Sequence, residues 1–268
     1  IISLPFLKQL QDFVGSKSVV IVGQNLVFEI LSCSNLEISN KLIYERKTYK
    51  SFKGVYNLSK NLRKFGCEIG ILLAESFSSA LFLTLGKINK KIGYGSQGRS
   101  LLLTHSLTKD LKKHRLGQFL DILKYMKFEV DFSMLPNQVM KLFPDINQNK
   151  LTPKVIGIHA HSNATSRRWP IRYWQSLFDH FSSKEIIFEI FGGKEANFFS
   201  CQLKKGIKSI IIDHTNHLSL KESIIAIRRC NLFLSNDSGP MHVADSLGIP
   251  TIGLFGAGDV NETGLYSK

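Results

Sequence analysis

The chain has 268 residues, which is long for one domain and sufficient for two. Its hydrophobic content of 43%, with 10% aromatic residues, excludes a disordered protein because these side chains can form packed cores. No run of about 18 apolar residues is present, so the sequence predicts no membrane-spanning helix. The four cysteines are scattered and form no CxxC pair, which indicates buried thiols in a reducing, cytoplasmic compartment and neither disulfides nor a zinc site.

The net charge of +14 is unevenly distributed. Residues 1–150 carry 22 basic and 11 acidic side chains, whereas residues 151–268 carry 13 and 10. The basic first half indicates an anionic partner, or else a Lys-rich composition with no function. The lysines are dispersed and no RNA-binding or helix-turn-helix signature accompanies them, so nucleic acid is not a predicted partner.

Short apolar runs alternate with helical stretches along the first half. We predict strands at residues 19–22, 42–44 and 69–73, and helices at residues 52–65, 77–85 and 116–126. Residues 135–153 hold three of the seven prolines and lose the apolar periodicity. This stretch is therefore the predicted linker, and we place the domain boundary between residues 150 and 151.

The alternation restarts in the second half. We predict strands at residues 155–159, 186–191 and 210–212, and helices at residues 171–181 and 220–229. Stacked strand–helix–strand units predict an α/β protein with two doubly wound, parallel-sheet domains that face a cleft, residues 1–150 and 151–268. Ligands of such folds bind at the carboxyl ends of the strands.

Residues 231–259 form the most informative segment. An apolar strand runs into the polar turn Asn236-Asp237-Ser238-Gly239, a helix follows between Pro240 and Gly248, and residues 251–255 form a second strand. The turn directs backbone N–H groups and the positive end of the helix dipole at its ligand, which predicts an anion site, above all for phosphate. An ordinary strand–helix–strand unit with a polar N-cap is the alternative, although His242 lies one turn into the helix and favours the phosphate site.

Other polar side chains flank predicted strand ends. Arg167 and Arg168 precede a helix, and a guanidinium suits phosphate oxygens, so we expect one of them to face the anion site and the other to be a surface charge. Asp213 follows a strand and either bonds ribose hydroxyls or caps the next turn. Asp237 is expected to hold its turn by accepting backbone N–H bonds, which leaves the amides of Ser238 and Gly239 for the ligand.

The sequence predicts no metal site. It contains no HExxH motif and no clustered Cys and His residues. His159 and His161 alternate along a strand, so their rings point to opposite faces and do not share an ion.

Several motifs point to one family. SNDSGPMHVADSLGIPTIGLFGAGD at residues 235–259 is similar to a block written D-S/T-G-x-x-H-x-A-x-x-L-x-x-P-x-x-x-L-F-G-x-T-D, and SRRWP at residues 166–170 is similar to K-x-W-P. Residues 70–105 resemble a segment with S-F-R-S-A, R-x-G-Y and G-R-x-L-L-L-T, and Ser3-Leu4-Pro5 resembles a T-x-P opening of the first helix. The chain therefore resembles glycosyltransferase family 9, the lipopolysaccharide heptosyltransferases, over essentially its whole length.

The resemblance implies a GT-B enzyme. Its N-terminal domain would hold an anionic lipid A or inner-core acceptor, and its C-terminal domain would hold a nucleotide-diphosphate sugar, ADP-heptose, with no metal and no cofactor. The implied donor-diphosphate contacts are Ser166, Arg167, Asp237, Ser238, Gly239 and His242, with Asp213 at the nucleoside. Arg99, Lys113 and Arg115 are the predicted acceptor contacts. The resemblance implies a cytoplasmic location and is compatible with peripheral contact at the cytoplasmic face of the inner membrane.

The chain also departs from the family pattern. Members begin with a strand and a Gly-Asp turn before the helix that starts here at Ile1, and that Asp is the implied general base. The resemblance thus predicts that the base and first strand precede Ile1, and that further helices follow Lys268. A small P-G pair of the family is replaced by His159-Ala160.

The implied reaction is an inverting sugar transfer, in which a carboxylate deprotonates the acceptor hydroxyl while a nucleoside diphosphate departs. A nucleotide-sugar epimerase or hydrolase on the same two-domain fold is a second hypothesis. A non-catalytic sugar-nucleotide binder is a third.

Overall fold

The computed structural model describes residues 1–45, 47, 51–96, 98–140 and 153–266. The chain divides into two compact units, Ser3–Met134 and Leu135–Lys268, and the second also includes Ile1–Ile2. We call them the N-terminal and C-terminal units. Residues 141–152, which contain most of the predicted linker and the predicted boundary between residues 150 and 151, lie outside the described residues.

The N-terminal unit alternates helices and short strands. Its helices are α1 (Leu4–Val14), α2 (Asn25–Ser32), α3 (Phe52–Arg63), α4 (Phe77–Leu85) and α5 (Arg115–Tyr125). Its strands are β1 (Val20–Gly23), β2 (Asn40–Ile43), β3 (Ile69–Leu72), β4 (Lys90–Tyr94) and β5 (His105–Leu107). Ser51 and Ser76 begin α3 and α4 by accepting the amides of Gly54 and Ser79, which are ordinary N-caps. Sequence periodicity did not predict α2, β4 or β5.

The strands of this unit form two separate parallel sheets. β1 pairs with β2, and β3, β4 and β5 form the other sheet. Within the described residues, β1 and β3 each keep one unpaired edge. A cavity of about 1270 Å³ lies against both, lined by residues 19–22 and 69–74 and by apolar side chains of α1 and α4. The cavity is thus lined both by the backbone of two strands and by apolar helical side chains.

The C-terminal unit contains one continuous sheet. Its strands are β6 (Lys154–His159), β7 (Ile186–Ile190), β8 (Ile210–Asp213), β9 (Leu232–Asn236) and β10 (Thr251–Leu254). Its helices are α6 (Ile171–His180), α7 (Asn197–Leu203), α8 (Leu220–Ile227), α9 (Gly239–Ser246) and α10 (Val260–Thr263). All strands are parallel, in the order β10-β9-β6-β7-β8. The strands predicted in this half lie within one or two residues of the observed ones.

The core of the C-terminal unit lies between this sheet and its helices. The cluster is built from fully buried aromatic and aliphatic side chains: Ile158, Ala160, Trp174, Phe178, Phe188, Ile190 and Leu203. Gly157 on β6 allows close packing, since a Cβ there would lie 2.4 Å from the ring of Phe233 on β9. Gly248 lies just after α9, where the sequence predicted the end of the helix. Its φ is +75°, a value that a residue with a side chain rarely adopts.

No helix in the described ranges is long and apolar enough to cross a bilayer.

Candidate functional site

The strand order of the C-terminal unit places one site at its centre. β6 is the first strand of the unit, β7 and β8 follow on one side, and β9 and β10 lie on the other. The order therefore reverses between β6 and β9. In open parallel sheets, ligands bind outside the carboxyl ends of the strands at this point. The loops after His159 and after Asn236 meet there.

Asn236 joins these two loops. Its side chain is fully buried, its Nδ2 donates to the carbonyl of Ala160 at 2.6 Å, and its Oδ1 accepts the amide of Trp169 at 3.0 Å. Both partners are backbone groups of the loop that follows β6. Because a buried amide is expensive to leave unpaired, these bonds fix the two loops relative to each other.

The turn after β9 presents the amino end of α9. Ser238 is the N-cap residue, yet its hydroxyl makes no capping bond and instead donates to the carbonyl of Asn236 at 3.0 Å. Ser235 Oγ lies 3.2 Å from Ser238 Oγ and continues this network. Gly239 is exposed, and His242 is half-buried on the same helix. The first amides of α9 therefore point to a surface where an anion can approach.

Arg167 reaches this turn. Its Nη1 lies 3.3 Å from Asp237 Oδ2, and the Arg167 side chain is 46% exposed while that of Asp237 is 5% exposed. Asp237 Oδ2 is buried and accepts no hydrogen bond from the described residues. Asp237 was expected to hold the turn by accepting backbone N–H groups, but its buried Oδ2 accepts none from the described residues and faces the guanidinium of Arg167.

Arg168 and Ser166 have different environments. Arg168 Nε donates to the carbonyl of Ser162 at 2.6 Å, and its Nη2 lies 3.0 Å from His161 Nε2. Arg168 therefore stabilises its own loop, and Arg167 is the arginine that extends towards the turn. Ser166 is exposed, and its carbonyl accepts the amide of Ala257 from the loop after β10 at 3.3 Å.

Asp213 ends β8, the edge strand on the far side of β7. Its Oδ2 accepts Ser200 Oγ at 2.7 Å and Lys204 Nζ at 2.5 Å, and its Oδ1 accepts the amide of Thr215 at 3.0 Å. Burial alone would raise the pKa of Asp213, but these hydrogen bonds outweigh it and lower the pKa to about 2. The carboxylate caps the turn after β8, the structural alternative that the sequence left open, and its nucleoside role stays a prediction.

His159, the last residue of β6, and His161 lie in different environments. His159 is buried, its Nδ1 lies 2.9 Å from the carbonyl oxygen of Phe191, and burial lowers its pKa to about 4. His161 is half-buried, and burial followed by the charge of Arg168 lowers its pKa. Among the residues that the structure describes, no group of three His, Cys, Asp or Glu side chains is placed to hold a metal ion.

The predicted acceptor contacts lie in the N-terminal unit. Arg99 is fully buried: its Nε donates to the carbonyl of Tyr94 at 2.7 Å and its Nη1 donates to the carbonyl of Ala74. This buried position does not fit the prediction that Arg99 contacts the acceptor, because its guanidinium donates to backbone carbonyls that follow β3 and end β4. Lys113 pairs with Asp121 at 2.7 Å, which raises the pKa of Lys113 through a hydrogen bond. Arg115 is half-buried at the start of α5.

Known proteins are similar to this chain in sequence and in fold. The model of glycosyltransferase family 9 (heptosyltransferase) matches residues 55–268. The chain belongs to glycosyltransferase family 9. A lipooligosaccharide heptosyltransferase 2 of Campylobacter jejuni is 26% identical over 86% of this chain and 70% of its own length. A family 9 glycosyl transferase structure from Veillonella parvula has a TM-score of 0.82 at 20% identity, covering 99% of this chain and 80% of that one. The E. coli ADP-heptose lps heptosyltransferase II structure has a TM-score of 0.76 at 18% identity, covering 98% and 83%.

These comparisons confirm the predicted family and the GT-B fold class of parallel sheets flanked by helices. The protein is thus a glycosyltransferase. Two contacts of the site in this family 9 enzyme were not predicted from the sequence. One is the buried bridge of Asn236, and the other is the packing of the Gly256-Ala257-Gly258 turn against Ser166 and Asp237. The glycines after the apolar run of β10 were the available signal, but their partners lie elsewhere in the chain.

Proposed function

We propose that this family 9 enzyme transfers a heptose from ADP-heptose to an inner-core lipopolysaccharide acceptor, with inversion and without a metal. The similarity to the C. jejuni lipooligosaccharide heptosyltransferase and to the E. coli ADP-heptose lps heptosyltransferase supports this choice of sugar, donor and acceptor class. The observation that carries the proposal is the approach of Arg167 to the amino end of α9, at the switch point of the sheet.

The chemical argument concerns the departing diphosphate. Negative charge grows on the leaving group in the transition state, and groups already aimed at that charge lower the barrier. Arg167 has five N–H donors, so pairing one Nη with Asp237 leaves others for phosphate oxygens. The amides of Ser238 and Gly239, the dipole of α9 and the imidazole of His242 complete the proposed diphosphate site, with Ser166 beside it. This positive charge is supplied by the protein itself.

We further propose that the general base belongs to a strand and turn that precede α1. The open edges of β1 and β3 support this placement, because a parallel strand inserted between them would unite the two sheets of the N-terminal unit. The strand would then lead through α1 to its neighbour β1, as a right-handed crossover requires. Its carboxyl end would lie beside the turn after β3, at the switch point of that sheet. Residues 1–268 alone should therefore transfer little sugar.

The acceptor is proposed to bind the N-terminal unit. An inner-core acceptor carries carboxylate and phosphate groups, which a first half with an excess of basic residues attracts. Lys113 and Arg115 remain proposed contacts, and the cytoplasmic face of the inner membrane is the proposed place of reaction.

Donor binding tests the proposal directly. Residues 1–268 should bind ADP in isothermal titration calorimetry, because the diphosphate site does not include the base. Arg167→Ala should weaken ADP binding about 10- to 100-fold, since it removes a charge-assisted contact. Arg172→Ala is the matched control: this arginine lies in the first turn of α6, where its side chain contacts Tyr173, so ADP affinity should be unchanged. Equal ADP affinity in wild type and Arg167→Ala would contradict the proposal.

Product analysis separates the competing functions. The protein with its natural upstream residues should yield a glycosylated acceptor from ADP-heptose, and Arg167→Ala should lower that rate by about 10²–10³. Isomerised or hydrolysed sugar without acceptor would instead favour an epimerase or hydrolase. Tight ADP binding with no product would favour a non-catalytic binder.

A further inference from the structure

Arg167 pairs with a carboxylate, that of Asp237, which is unusual in having a buried oxygen without a hydrogen bond from the part of the chain that the structure describes. Asp237 Oδ2 is buried, lies 3.3 Å from Arg167 Nη1 and accepts no hydrogen bond from the described residues. A buried carboxylate oxygen without hydrogen bonds is stabilised only by charge, so small displacements weaken it. Arg167 is 46% exposed and would otherwise sample several rotamers. The position of Asp237 therefore determines where the guanidinium rests.

The loop after β10 closes on both members of this pair. The amide of Ala257 donates to the carbonyl of Ser166 at 3.3 Å, which fixes the backbone next to Arg167. A Cβ on Gly256 would lie 2.4 Å from that carbonyl oxygen, and a Cβ on Gly258 would lie 2.2 Å from Asp237 Oδ2. Distances below 3.0 Å require the neighbouring atom to move.

The glycines in this loop are needed for space. The left-handed φ values that favour glycine occur at Gly15, Gly66, Gly98, Gly206 and Gly248 among the described glycines, and not at Gly256 or Gly258. Gly256 is exposed, so no core packing explains its lack of a side chain. The remaining reason is close approach to Ser166 and Asp237.

We propose that the turn Gly256-Ala257-Gly258 is a positioning element of the donor site: it sets Asp237 and the Arg167 backbone so that Arg167 faces the diphosphate. This inference rests on the proposed function and adds residues that touch no substrate. Gly258 acts through Asp237, and Ala257 acts through Ser166. The recognised ligand is the diphosphate of a nucleotide, and the nucleoside is held independently of this turn.

The experiment measures binding of ADP and adenosine to the full chain. Gly258→Ala should raise the dissociation constant of ADP about tenfold, as expected when one charged contact is misplaced, and should leave that of adenosine unchanged. Gly264→Ala is the matched control. Its Cβ would be similarly crowded, 2.4 Å from the carbonyl oxygen of Val260, but the atoms nearest to it belong to Val260 and neither to Arg167 nor to Asp237. Gly264→Ala should leave the affinity for both ligands unchanged, whatever it does to thermal stability.

A double-mutant cycle separates positioning from a general loss of structure. In an Arg167→Ala background, Gly258→Ala should weaken ADP binding no further, because Gly258 is proposed to act on the diphosphate through Arg167, which this background lacks. Additive losses, or equal losses for ADP and adenosine, would overturn the proposal. If Gly258→Ala does not fold, Asp237→Asn replaces it: the same size without the charge should also weaken ADP binding. Stronger ADP binding by Asp237→Asn would show that Asp237 merely repels phosphate, and would overturn the proposal.

The two proposals fail in different ways. Unchanged ADP affinity in Arg167→Ala would remove the diphosphate site itself. Weakened affinity in Arg167→Ala with unchanged affinity in Gly258→Ala would leave the donor site in place and remove only the positioning role.

Discussion

Both units contain parallel strands flanked by helices, but the described strands form one continuous sheet in the C-terminal unit and two separate sheets in the N-terminal unit. In the C-terminal unit, β6 occupies the central position, and Asn236 ties the loops at its switch point. In the N-terminal unit, the corresponding position between β1 and β3 is a cavity of about 1270 Å³. The comparison shows that residues 153–266 bring the loops after β6 and β9 together at the switch point of one continuous sheet, whereas the described strands of residues 3–134 form two separate sheets with a cavity beside β1 and β3.

Hydrogen exchange should show the largest difference between the two sheets. Alternate amides of β1 and β3, those not bonded to β2 or β4, face the cavity and should exchange at least about 10³-fold faster than amides of β6, which open only with the whole unit. Mass spectrometry of peptides from each strand measures this. Equal protection in both sheets would mean that the edges of β1 and β3 are closed in solution.

Asn236→Ala should produce the largest loss of stability among single substitutions at the switch point. The change leaves the Ala160 carbonyl and the Trp169 amide unpaired, so the free energy of unfolding should fall by about 3 kcal/mol. Asn40→Ala in the N-terminal unit is the comparison, because the side chain of this half-buried residue also donates to a backbone carbonyl, that of Lys17, but the bond is exposed to solvent. Urea unfolding should give a loss of less than about 1 kcal/mol there. Similar losses would show that the bridge is not what stabilises the donor site.

The ionised carboxylate of Asp213 should give a smaller, pH-dependent effect. Its pKa in the folded state is about 2, below the unfolded value, so its contribution is fully present above pH 4 and is lost as the pH falls through 2. Asp213→Asn should therefore lower the free energy of unfolding by about 2 kcal/mol at pH 7. The wild-type and variant curves of stability against pH should converge in acid. A constant difference down to pH 2 would exclude this linkage.

The elements of the C-terminal unit could be predicted well because the residues that indicate each element lie close together in the chain. The apolar run of β9, the Pro at the start of α9 and the Gly after it lie within one segment, and the observed elements follow them closely. β4 and β5 were not predicted. β4 begins with Lys90-Lys91 and β5 has three residues, so neither shows the continuous apolar run of a buried strand.

Contacts between distant residues set the limit of prediction in the site. Asn236 is 76 residues from Ala160 and 67 from Trp169, so its bridge is invisible in a local pattern. Residue type alone did not decide between Arg167 and Arg168, since neighbouring residues of the same type differ only in where the loop directs them, and only the family resemblance selected Arg167. Arg99 was predicted as an acceptor contact, but it is buried and donates to backbone carbonyls of Tyr94 and Ala74, which the local sequence did not indicate.

A crystal structure of residues 1–268 with ADP would test the central claim most directly. Our account predicts the diphosphate at the amino end of α9, with its oxygens about 3 Å from the amide of Gly239 and from the guanidinium of Arg167. A diphosphate bound elsewhere on the C-terminal unit, with the Arg167–Asp237 pair undisturbed, would contradict it.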